Sequence, residues 1–77
     1  MTNTADRTQD HRTAFRLAFD LLNRNWPSEN TVEYWEKTGD DFCAVFEEHR
    51  DNPLAVKLIE AVFAYLEAEA RKGGAEP

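Results

Sequence analysis

Apolar positions along the chain recur every three or four residues in three runs, and nowhere do they alternate as a half-buried strand requires. Two breaks divide the runs, Trp26-Pro27-Ser28 and Asp51-Asn52-Pro53, where each proline biases the residue before it away from helix. The first run predicts a helix over about 10–25. Phe15, Ala18, Phe19 and Leu22 share a face widened by Ala14, Leu17 and Leu21, while Arg12, Arg16, Asp20 and Asn23 take the other side. An apolar arc this broad predicts a largely buried helix, with Thr8 or Asp10 capping its start.

The second run predicts a helix over 31–49. Asn30-Thr31-Val32-Glu33 has the form of a capping box, with Asn30 as the cap and Glu33 reaching back. Trp35, Phe42 and His49 recur at seven, with Val45 and Phe46 beside them. Glycine costs about 1 kcal/mol relative to alanine inside a helix, so Gly39 is a possible break. The apolar phase set by Val32 and Trp35 nevertheless carries through Phe42 and Phe46, which argues for one continuous helix. Gly39 would then lie where a neighbouring helix packs close.

The third run predicts a helix over 53–72. Asn52 is its cap, Pro53 occupies the first turn, and Ala55, Leu58, Ile59, Val62, Tyr65 and Leu66 form one stripe. Arg71 and Lys72 suit the negative end of the helix dipole, and Gly73 supplies a stop. Residues 73–77 should fray, as should the start of the chain. Short connections imply antiparallel neighbours, hence an all-α fold: a small antiparallel three-helix bundle forming a single domain over 1–77. Two helices clasping the third helix of a partner chain would satisfy the same pattern.

Charge alters this picture mainly in the middle of the chain. Of the net −6, residues 1–26 contribute four Arg against three Asp, whereas residues 27–52 set Lys37 and Arg50 against eight acidic residues. Glu33, Glu36, Asp40 and Glu47 align on one side of the second helix, with Asp41 and Glu48 close by. This stripe is either a solvated face or a surface presented to a basic partner. Direct binding of nucleic acid is not expected, because it begins with a basic footprint. No apolar run approaches the roughly 20 residues that span a bilayer, and Met1–Asp10 lacks the apolar core of a secretory signal. The expected location is the cytoplasm.

Candidate chemistry is sparse. His11 and His49 form no metal-ligand pair with each other or with a carboxylate at helical spacing. Cys43 is the only cysteine, so it forms no intramolecular disulfide, and its acidic neighbours disfavour a thiolate. It reads as a packed, inert side chain. No phosphate-binding glycine loop, nucleophile elbow or dinucleotide fingerprint is present, so neither an enzyme nor a cofactor or metal site is expected. Val56 and Phe63, seven residues apart and continued by Ala70, form a second apolar line on the third helix. Either that helix is central and nearly surrounded, or the Val56–Phe63 line is an interface with another molecule.

Val32-Glu33-Tyr34-Trp35-Glu36, and Asn52-Pro53-Leu54-Ala55-Val56-Lys57-Leu58 through Tyr65-Leu66-Glu67, resemble stretches of short helical proteins encoded in bacterial mobile elements and prophages. The resemblance covers about 30 residues. It implies a small acidic protein acting by binding other proteins, and it carries over no functional residue.

The expected function is therefore a non-enzymatic interaction module that binds a protein partner or itself as a homodimer. The alternative is a transcription-related regulator, an anti-repressor or nucleic-acid mimic working through the acidic helix.

Overall fold

A computed structural model describes residues 4–75 of the 77, with side chains from 8 to 72. All regular structure among the described residues is helical: α1 at Thr4–Arg24, α2 at Val32–His49 and α3 at Pro53–Ala75. α1 starts six residues before the expected position. Residues 4–9 contain neither proline nor glycine, so nothing interrupts the helix there, and Thr8 and Asp10 lie inside it rather than capping it. α2 is continuous through Gly39, as its apolar phase requires. Its cap is Thr31, not Asn30. Thr31 holds the extended backbone of a cap (φ −126°, ψ 155°), and its hydroxyl accepts from the Tyr34 amide at 3.1 Å. α3 begins as expected, with the Asn52 side-chain oxygen accepting from the Ala55 amide at 3.3 Å. It then runs past Gly73, because no glycine among the described residues adopts the positive φ of a helix stop. Of the residues 73–77 expected to fray, 73–75 continue α3, while 76–77, like 1–3 at the other end, lie outside the described residues.

Two contacts fix the topology. The Asn52 side-chain Nδ2 donates to the Asp10 carbonyl at 2.9 Å, and the rings of Trp26 and Tyr65 stack at 5.9 Å. α1 and α3 therefore run parallel, and α2, which joins them in sequence, runs in the opposite sense, giving the up-down-up bundle. α3 is central. α1 lies along it, α2 packs on it more lightly, and α1 and α2 touch little.

The α1–α3 seam is built from small residues. Ala14, Ala18 and Leu21 on α1 are buried, as are Ala55, Ile59 and Leu66 on α3, with Leu17, Leu22, Leu58 and Val62 packed around them. This corrects the reading of the first helix. Its buried row is the alanine row, and Phe15 and Phe19, one residue further on and so turned by about 100°, are each 61% exposed.

A buried polar cluster at the end of α1 positions α2. Asn25 is 3% exposed. Its amide nitrogen donates to the Leu21 carbonyl (2.8 Å) and to Asp41 Oδ2 (3.0 Å), and its side-chain oxygen accepts from the fully buried Thr38 hydroxyl (2.9 Å). The Asn25 carbonyl accepts from the Tyr34 hydroxyl at 2.6 Å. Arg24 grips the same Asp41 with two nitrogens, at 2.6 and 3.2 Å. Burial alone would push the Asp41 carboxyl up. Hydrogen bonds from Arg24 and Asn25, with the charges of Arg24 and Lys37, outweigh it and hold the group below its ordinary value. The hydrogen bond to Asp41 holds Arg24 above its own. Burial raises the Tyr34 hydroxyl, because the phenolate would lose water.

Asn25→Ala strips Thr38 of its acceptor and Asp41 of a donor. We expect a loss of about 1–3 kcal/mol, read as a lower urea midpoint. An unchanged midpoint would show that α2 is positioned without the cluster.

Candidate functional site: the α2–α3 groove

Because α2 packs lightly on α3, an open apolar groove of about 430 Å³ runs between them. Its floor comes from Phe42 and Phe46 on α2 and from Ile59 and Phe63 on α3, each pair one turn apart. Phe63 anchors the floor edge-to-face against Phe42 (centroids 5.1 Å apart) and Trp35 (5.7 Å). Small residues keep the groove open: Gly39 and Cys43 on one wall and Ala64 on the other. A Cβ placed on Gly39 would meet nothing within 4 Å. The close helix approach expected at Gly39 does not occur there, and the position faces the groove.

Three carboxylates, Glu47 on α2 and Glu60 and Glu67 on α3, line the margins, and among the described residues no basic side chain lines the groove. Glu47 has Arg50 at 3.4 Å, but both are well exposed, and such a pair contributes little. Glu33, Glu36, Asp40 and Glu47 are all exposed. On the helical register they run beside the Gly39–Cys43 row, so the acidic stripe borders the groove. Asp41, read from the sequence as part of the same charge, is instead held by Arg24.

Phe63 lies half-buried in the groove floor, and Val56 is half-buried one turn before Ile59 and Glu60. Ala70, which continues their line, is buried. Cys43 is exposed on the groove wall rather than packed, because the lightly seated α3 leaves that edge of α2 open. His11 is exposed, and His49 is half-buried with Nε2 4.0 Å from Glu48. Among the described residues, no group of three or more His, Cys, Asp or Glu is placed to hold a metal ion, and no helix is long and apolar enough to cross a membrane. A smaller recess of about 270 Å³ near Trp35 and Ala70 carries both Glu67 and Arg71, so it has no single charge character.

Sequence reasoning missed Gly39, Cys43 and Ala64 as groove residues, and Glu60 and Glu67 as its margin. The available signal was the spacing of Gly39 and Cys43, one turn apart and next to Phe42, which interrupts a bulky face with small side chains.

Gly39→Ala should raise stability by about 1 kcal/mol, since it removes backbone freedom without a clash. A lowered denaturation midpoint would contradict the open space at that position. Phe63→Ala should cost about 3 kcal/mol, whereas Phe19→Ser should stay within about 0.5 kcal/mol. Equal losses in the two variants would mean that α1 buries its phenylalanines after all.

Comparison of the chain with protein-family models, with curated proteins and with solved structures returned no match, so the chemistry of the groove carries the functional reading.

Proposed function

We propose that the chain is a non-enzymatic protein-interaction module that receives an amphipathic helix of its partner in the α2–α3 groove. One observation carries this reading: an apolar floor of Phe42, Phe46, Ile59 and Phe63 is bordered only by carboxylates. An apolar helix face laid into such a groove removes both surfaces from water, the usual helix-in-groove mode. Lysines or arginines flanking that face meet Glu47, Glu60 and Glu67. The neighbouring stripe of Glu33, Glu36 and Asp40 extends the negative field and speeds the approach of a basic partner. The nucleic-acid-mimic reading uses the same exposed carboxylates but gives the groove no role.

The probe is a peptide of about 16 residues with leucines at i, i+4, i+7 and i+11 and lysines flanking that row, followed by calorimetry. The expected dissociation constant is on the order of 10 μM. It should weaken at least tenfold when salt rises from about 0.05 to 0.5 M, and again in Ala64→Arg, which fills the groove from an exposed position. Absence of binding sinks the reading. Binding that ignores Ala64→Arg but disappears when Glu33, Glu36 and Asp40 become Gln moves the function to the acidic stripe.

A further inference from the structure

The outer side of α1 carries an apolar row whose middle, Phe15 and Phe19, the fold leaves uncovered, while Leu22 leans on the core and Trp26 stacks on Tyr65. Phe15 and Phe19 are each 61% exposed, Leu22 is half-buried, and Trp26, just past the helix end, is 48% exposed. They stand at i, i+4, i+7 and i+11, one face of a helix. Arg12 and Arg16 flank the row, exposed and with no ion-pair partner among the described residues.

This is the chemistry that the α2–α3 groove selects. We propose that the occupant of the groove is α1 of a second copy of this chain, a proposal that rests on the groove being a helix-binding site. Phe15 and Phe19 enter over Phe46 and Phe63, and Arg12 and Arg16 meet the carboxylates of Glu60 and Glu67. Lengths agree: Arg12 to Phe19 covers about 10 Å of helix axis, and Ile59 to Glu67 about 12 Å. The signs are opposite, since the charges beside the phenylalanine row are Arg12 and Arg16 while the charged residues lining the groove are Glu47, Glu60 and Glu67. α1 does not reach the groove of its own molecule. α1 is already seated on α3 through Ala14, Leu17 and Leu21, and its Arg24 side faces α2 while the phenylalanine row faces away. Reciprocal exchange between two copies closes a pair; one-way insertion builds an open chain.

The test is solution mass by sedimentation equilibrium between about 1 and 500 μM at low salt. Three samples are compared: the wild-type chain, Phe15→Glu/Phe19→Glu and Ala64→Arg. The substituted positions are exposed, so the fold should persist, and circular dichroism verifies it. The wild type should assemble with rising concentration, each variant should stay monomeric where the wild type is half assembled, and an equimolar mixture should recover a 1:1 complex. That mixture retains one intact α1 face and one intact groove. A mixture that stays monomeric overturns the proposal, and assembly of Ala64→Arg alone that is lost in Phe15→Glu/Phe19→Glu overturns it in favour of α1-to-α1 pairing. Wild-type assembly that survives Ala64→Arg places the contact elsewhere. A wild type that is monomeric throughout, yet still binds the lysine-flanked peptide, leaves the groove a helix-binding site and removes α1 as its occupant.

Discussion

Asn25 has almost no exposure to water, so its side chain and carbonyl must find their hydrogen bonds within the protein, and they find them on two helices at once. Its amide closes the last turn of α1, its side-chain oxygen fixes Thr38, and its carbonyl holds Tyr34. Because Thr38 and Tyr34 belong to α2, the position of that helix depends on satisfying one residue of the preceding turn. The alternative is a buried hydroxyl without a partner, which is costly. The Arg24–Asp41 fork braces the same junction from the more exposed side. α1 and α2 need little apolar contact under these conditions.

That economy of contact leaves α2 tethered along its first half and at the short turn into α3, with one edge of the helix left open. The alanines and leucines of α1 already cover one side of α3, so α2 takes the other side with Trp35, Phe42 and Phe46. Where the bulky residues give way to Gly39, Cys43 and Ala64, the two helices leave a gap. The groove and the polar junction are thus parts of one arrangement. Directional hydrogen bonds set the angle of α2, and small side chains leave the gap open.

Helix number, order and sense were legible because they rest on local signals: proline breaks, the Asn52 cap and the 3.6-residue period. Much less of the packing could be read. Phe15 and Phe19 outweigh Ala14 and Ala18 on any hydrophobicity scale, yet shape decided the seam. Two alanines admit a neighbouring helix where two phenylalanines would hold it off. The cap moved by one residue because Thr31 and Asn30 are nearly equivalent as caps, and only the backbone path distinguishes them. Asn25 gave no sign of its role, since a polar residue at a helix end is ordinarily solvated. Of the groove, sequence spacing supplied Phe63 and the acidic stripe on α2. The carboxylates on α3 joined them only once the two helices were placed side by side.

The parallel pairing of α1 and α3 also bears on how the chain reaches its fold. Its main apolar seam joins helices that are not neighbours in sequence, and the contact that aligns their starts, Asn52 to Asp10, spans 42 residues. Closing a loop of that length costs about 2 kcal/mol more entropy than closing a connection of about four residues. The neighbouring α2–α3 hairpin is easy to close but gains little on its own, since its interface is the open one. Such a chain has its strongest contacts at long range, an ordering that belongs to slower-folding topologies than the usual small bundle.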